Sequence, residues 1–149
     1  MDTTMPIPMK PRALQRGATL LEAMLGILIF SLGILALVGM QALAIKQVTD
    51  AKYRADASFL ANQIIGEMWV NRGAGGANLA TYAYAGGGSP PAALSNWVAS
   101  VQNGLPGITP TANQPTVTVA GTTVTVTVFW QPPGGGTVHN HVTIAYING

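Results

Sequence analysis

The feature that most constrains this chain is a long apolar segment near its amino terminus. Residues 18–45 are apolar or small, apart from a few polar side chains, and they carry a single charge, Glu22. From residue 23 onward the segment has about 23 residues, which at about 1.5 Å per helical residue cross a hydrocarbon core about 30 Å thick. The sequence therefore predicts a membrane-spanning helix, and the low charge of the whole chain, 8%, agrees with part of it lying outside water.

A short basic segment precedes the apolar one. Residues 1–17 contain three basic residues, one acidic residue and three prolines. A secretory signal peptide is one alternative, but its apolar core is usually about 7 to 15 residues long and ends at a small-residue cleavage site. The apolar segment here is longer, and a helical pattern continues beyond it. We therefore interpret residues 1–17 as a separate leader.

Apolar residues recur after residue 45 at the spacings of three and four that are typical of an amphipathic helix. Asp50 and Arg54 are four residues apart and can pair across one turn. We expect one helix from about Thr19 to Val70, ended by the glycines after Arg72. The residues expected on its apolar face are Val48, Ala51, Ala55, Phe59, Leu60, Ile64 and Met68.

The carboxy-terminal third predicts a small antiparallel sheet. Residues 116–119, 122–130 and 137–147 are rich in β-branched side chains, and short connections containing glycine separate them. Such connections favour an antiparallel meander. Before the strands we expect a loop over residues 73–91 and a short helix capped by Ser95.

These patterns predict an α+β fold in which a long amino-terminal helix, membrane-spanning in its first half, packs on a small antiparallel β-sheet. The domain organisation expected is a leader over residues 1–17, a membrane-spanning half-helix over residues 18–45 and a globular domain over residues 46–149. The globular domain includes the second half of the helix.

Catalytic and ligand-binding chemistry has little support in the sequence. The chain has no cysteine, which excludes disulfides and thiolate metal sites. His139 and His141 project from one face of a predicted strand, but no carboxylate lies near them in the sequence, so we interpret them as surface histidines. We expect neither an enzyme, nor a metal site, nor a cofactor. Charges outside the leader are balanced, so we expect no nucleic-acid partner.

The informative motif is residues 16–22, a basic residue and a glycine followed by an apolar helix with one acid at its fifth position. A membrane anchor has no need of Glu22, and a carboxylate within a bilayer is costly and usually marks a partner. The alternative is that Glu22 lies near the lipid headgroups and is tolerated there. The motif resembles the amino-terminal motif of type IV prepilins, in which cleavage site, acid and helix have this spacing.

The resemblance implies that a prepilin peptidase cleaves between Gly17 and Ala18 on the cytoplasmic side and methylates the new amino group of Ala18. It also implies that Glu22 docks the subunit by pairing with the amino terminus of a neighbour. The family usually has phenylalanine where this chain has Ala18. The basic leader agrees with the positive-inside rule, which places the globular domain in the periplasm.

Later segments resemble the pilus modification minor pilins, called PilV-type. They are residues 31–35, 39–41, 65–72, Trp97, 105–107 and 126–130. The resemblance implies a low-abundance subunit that joins other minor pilins in a complex that primes pilus assembly, for twitching motility and adhesion. The expected partners are those minor pilins, the major pilin, prepilin peptidase and the inner-membrane assembly machinery. The expected location is the inner membrane and then the extracellular pilus.

Two alternatives of other classes stay open. A pseudopilin of a type II secretion system shares the processed helix but serves the export of proteins. A tip adhesin or DNA-uptake minor pilin would use the exposed glycine-rich loops to contact a ligand.

Overall fold

The structure, a computed structural model, describes residues 16–148, and most of the expected leader lies outside the described residues. The described part has an α+β architecture, as the sequence predicted. Its main elements are the helices α1 (Arg16–Asn71) and α2 (Ser95–Gly104) and the strands β1 (Thr116–Ala120), β2 (Thr123–Trp130) and β3 (His139–Tyr146). The described chain divides into two compact units, a first unit that ends at Ile45 and a second unit that begins at Lys46.

The first unit consists of helix α1 up to Ile45, where every described side chain from Gly17 onward is exposed. The helix contains no proline, and its glycines sit at ordinary helical backbone angles. The Ser31 hydroxyl donates a hydrogen bond to the carbonyl oxygen of Ile27, one turn earlier in the helix, at 2.7 Å. This unit has no core of its own, because its apolar side chains point outward in all directions.

In the second unit the remaining turns of α1 bury one face against the rest of the unit. The buried residues are Ala57, Leu60, Ala61, Ile64, Ile65 and Met68. The predictions for Leu60, Ile64 and Met68 are confirmed, but those for Val48 and Phe59 are wrong, since these side chains are 71% and 68% exposed. Phe59 precedes Leu60 by one residue, and a step of one turns a side chain by about 100° around the helix. Gly73, with φ of 71°, ends the helix as predicted.

The three strands form an antiparallel meander in the order β1-β2-β3, which confirms the predicted sheet. The register pairs Val117 with Val126 and Val126 with Thr143. Alternate residues of β2 are fully buried and line the inner face of the sheet, namely Val124, Val126, Val128 and Trp130. Because side chains alternate along a strand, the threonines between them lie on the outer face.

The segment between the helices is more ordered than a loop. Short 3₁₀ turns bury Leu79 and Tyr82, and Tyr84 forms an antiparallel bridge with Val117 of β1. Ser95 is not the cap that the sequence predicted, because it lies inside α2 and its hydroxyl donates to the carbonyl oxygen of Ala92 at 3.1 Å. The 3₁₀ turn Ala92–Leu94 runs directly into α2, so Leu94 is at the N-cap position and Ser95 is the first residue of the helix.

Trp97 joins α2 to the long helix. Its Nε1–H donates a hydrogen bond to the carbonyl oxygen of Leu60 at 2.8 Å, and its ring is 4% exposed. Trp130 on β2 is fully buried. Both tryptophans belong to the hydrophobic core of the second unit.

Candidate processing and assembly site

The residues of the predicted processing motif lie in the first turns of helix α1. Gly17, Ala18 and Glu22 are all exposed, and the peptide bond between Gly17 and Ala18 is part of the helix. A Cβ atom built on Gly17 would meet no atom within 4 Å. This position therefore has no packing reason, within the described residues, to be a glycine.

Ala18 and Glu22 are four residues apart, so their side chains lie on one face of the helix, one turn from each other. Glu22 is the only charged residue between Gly17 and Lys46. Large apolar side chains surround it on the helix surface, among them Leu21 and Leu25, which are 65% and 51% exposed. The arrangement is a single negative charge on a surface that is otherwise uncharged and mainly apolar.

Among the described residues, one helix is long and apolar enough to cross a membrane, and it lies near the amino terminus. None of the side chains in its apolar part is buried. By length and composition, this helix can associate with a membrane.

A second polar cluster lies in the second unit, where α1 meets the beginning of β3. His139 Nε2 lies 3.9 Å from Asp50 Oδ1, and Arg54 lies 3.9 Å from the other carboxylate oxygen. The imidazole of His139 stacks on Trp130 with ring centroids 5.6 Å apart. The expected pairing of Asp50 with Arg54 is thus present as a long contact, which is weak between exposed groups.

The sequence analysis placed no carboxylate near the histidines, and that interpretation is wrong for His139, since Asp50 approaches it from the helix. His141 has a different partner, Thr143 Oγ1, at 3.0 Å from its Nε2 atom. Both histidines are half-buried rather than fully exposed. No local sequence signal could have placed Asp50 beside His139, because most of the chain separates them.

An open depression of about 720 Å³ lies beside this cluster. Its lining consists of Gln47, Asp50, Ala51, Arg54, Ala55, Ser58 and His141. A smaller depression of about 390 Å³ is lined mainly by small residues of the connecting loops, with Phe129 and Val138 at its side. Both depressions are open to solvent, whereas small-molecule sites usually bury most of the ligand surface.

The motif at the start of α1 and the cluster at Asp50 thus lie in different units of the chain. Of the two, only the motif has a residue pattern that indicates a function. Comparisons with known proteins found no family model, no curated protein and no solved structure that matches the chain.

Proposed function

We propose that this chain is a minor pilin of a type IV pilus, which prepilin peptidase processes between Gly17 and Ala18 before the subunit enters the filament. The observation that carries the proposal is a single carboxylate, Glu22, five residues after a glycine and within residues 17–45 of α1, which are all exposed and carry no other charge. The following steps support it.

The exposed apolar helix has to be covered. Seventeen large apolar side chains between Leu20 and Val48 are exposed. At about 1.5–3 kcal/mol for burying each one, their exposure to water costs more than the about 5–15 kcal/mol by which a domain is stable. Lipid covers such a helix before assembly, and the helices of neighbouring subunits can cover it afterwards.

Glu22 gives that assembly a specific register. An uncompensated acid at a helix centre in a membrane costs about 3 kcal/mol. Cleavage after Gly17 creates an ammonium group on Ala18, and the equivalent group of a neighbour supplies a cation for Glu22. Docking in the correct register offsets the cost of the buried acid, whereas a shifted register leaves the acid without a partner.

The second unit is the part that such a subunit presents outside the membrane. Its core packs residues 57–68 of α1 against the rest of the unit. The partners that follow from this role are the other minor pilins, the major pilin, prepilin peptidase and the inner-membrane assembly machinery. The subunit would begin in the inner membrane with its domain in the periplasm and end in the extracellular pilus.

The test is the amount of surface pili that can be sheared from a deletion strain, with and without the gene restored, together with export of a secreted enzyme. The expected result is loss of pili with export intact, and recovery when the gene returns. Intact pili with failed export would assign the chain to the secretion pseudopilins. Intact pili with failed attachment or DNA uptake would assign it to the tip binding modules.

A further inference from the structure

Strand β3 forms an open edge of the sheet. The other outer strand, β1, is bridged on its far side by Tyr84, whose N–H donates to the carbonyl oxygen of Val117 at 2.8 Å and whose carbonyl accepts the Val117 N–H at 2.8 Å. Within residues 16–148, no strand pairs with the far side of β3. Its eight residues therefore present a free edge.

The hydrogen-bonding register identifies the free backbone groups of this edge. Ile147 follows β3 and donates its N–H to the carbonyl oxygen of Thr122 at 2.8 Å, in line with the pairing of Tyr146 with Thr123. In an antiparallel pair the residues that exchange hydrogen bonds with the neighbouring strand alternate with those that do not. The residues whose N–H and C=O groups point away from β2 are thus Asn140, Val142, Ile144 and Tyr146.

The same residues carry exposed side chains on the outer face of the sheet. Val142, Ile144 and Tyr146 are 49%, 65% and 69% exposed. Soluble proteins usually protect an edge strand with lysine, proline, a bulge or inward-pointing charge. β3 contains no proline, lysine, arginine or acid, and the outer faces of β1 and β2 beside it are also free of charge.

We propose that the free edge of β3 binds an extended, uncharged strand of a neighbouring filament subunit and so continues the sheet across a subunit contact, an inference that rests on the proposed function. The regularly spaced free N–H and C=O groups, which water solvates on the isolated chain, match the hydrogen-bonding pattern of another backbone in extended conformation. The uncharged outer face selects a strand with β-branched or aromatic side chains beside Val142 and Ile144.

The size of the edge explains why the occupant is a subunit already held in a filament. A stable free interface uses about 20–30 residues on each side, whereas β3 offers eight. The edge is too small to hold a free complex by itself. Contacts elsewhere in the filament supply the remaining affinity, and the edge sets the position of one subunit against the next.

The first test uses proline to remove one backbone donor from the free edge. Val142→Pro deletes an N–H that points away from β2, so the hydrogen bonds between β2 and β3 stay in place. The control Val70→Thr changes an exposed apolar side chain on α1, outside the sheet, and leaves the edge of β3 untouched. We expect the proline variant to fall by about fivefold or more in sheared filaments, and the threonine variant to stay near the wild-type amount.

Thermal unfolding of both full-length variants in detergent shows whether they fold. If the proline variant does not fold, Val142→Lys replaces it, because a charge on the open edge blocks strand addition and leaves the backbone intact. Wild-type incorporation of a folded Val142→Pro or Val142→Lys chain would overturn the proposal. Absence of the wild-type chain itself from sheared filaments would instead be a failure of the proposed function.

The second test identifies the occupant. The chain has no cysteine, so Asn140→Cys provides one thiol at the free edge for maleimide-benzophenone, whose maleimide adds to that thiol and whose benzophenone, on irradiation of intact filaments, inserts into a C–H bond of any chain beside it. The expected product joins residue 140 to a strand segment of a different filament subunit, as read from the cross-linked peptides by mass spectrometry. A product that joins two copies of this chain, or no product in filaments that contain it, would overturn the assignment of the occupant.

Discussion

A carboxylate on an apolar helix is stable only where water or a cation reaches it. Glu22 is exposed on the isolated chain and is flanked along α1 by apolar side chains up to Lys46. Any surface that covers this part of the helix also removes water from Glu22. If the chain assembles as proposed, Glu22 makes that assembly depend on whether the covering surface carries a positive group at the matching height.

Replacement of Glu22 by glutamine tests this dependence, because the amide keeps the shape of the side chain and removes its charge. We expect normal removal of residues 1–17 but an amount in sheared filaments that is lower by about tenfold or more, because the neighbour's ammonium group is then buried without its carboxylate partner. The control Gln41→Ala changes a polar residue on the same apolar helix and should stay near wild type. Equal incorporation of both variants would exclude a docking role for Glu22.

Gly17 is tested by a substitution that the described structure tolerates. A Cβ atom on Gly17 meets nothing within 4 Å, and the same holds for Gly26 further along α1. We expect Gly17→Ala to accumulate in the inner membrane as the unprocessed precursor, whereas Gly26→Ala is processed normally. The intact mass of the chain distinguishes processed from unprocessed protein. A Gly17→Ala chain that lacks its first 17 residues would contradict the assigned cleavage site.

Local chemistry could be read from the sequence at these positions, but long-range contacts could not. The spacing of Gly17 and Glu22 is visible in the sequence because both lie within one short motif. The approach of Asp50 to His139 depends on how the sheet packs on the helix, which no local pattern records. The sequence therefore indicated the candidate processing site and missed the only mixed ion-pair cluster that the described residues form.

At the scale of elements, the surroundings of the long helix differ along its length. Its described residues are all exposed up to Val48, and beyond Tyr53 one face is buried in the core of the second unit. Helical periodicity indicated that a face would be buried, and Leu60, Ile64 and Met68 lie on it. It could not assign Phe59, because an apolar residue at the border of the stripe fits either face until the packed partner is known.

A matched pair of substitutions tests which residues of α1 face the core. Ile64 is fully buried, and Ile64→Ala should lower the free energy of unfolding by about 2–5 kcal/mol through lost burial and a cavity. Phe59→Ala removes a larger side chain that is 68% exposed and should cost less than about 0.5 kcal/mol. Urea unfolding of the full chain in detergent, followed by tryptophan fluorescence, measures both. A larger loss of unfolding free energy for Phe59→Ala than for Ile64→Ala would refute this assignment of the buried face.

The remaining elements were predictable to the extent that their signals are local. Alternating β-branched residues identified the three strands to within one or two residues at most of their ends, and the meander followed from the short connections. The 3₁₀ turns around Leu79 and Tyr82 were missed, because a glycine- and alanine-rich segment carries no periodicity. Their order comes from burial of these two side chains and from the bridge of Tyr84 to β1.

At the scale of the whole molecule, the chain divides its tasks between its two units. All fully or largely buried apolar residues lie at Ala57 or later, within the second unit. The first unit has an apolar surface without a core, and its stability depends on what surrounds it. A subunit of this kind can exchange lipid for protein around its first unit while the second unit keeps its fold.

This division predicts that a chain starting at Lys46 folds in water without detergent. Its core is complete, since every apolar residue that is buried in the described part of the chain is retained, and the described residues from Gly17 to Ile45 that are removed are all exposed. We expect a cooperative urea transition whose free energy of unfolding lies within about 1 kcal/mol of that of the full chain in detergent, because distant sites contribute independently. A chain starting at Ile65 is the control, and it should not fold because it lacks Ala57, Leu60, Ala61 and Ile64. Aggregation of the Lys46 chain, or a transition without cooperativity, would mean that the apolar half of α1 is required for the core and does not serve assembly alone.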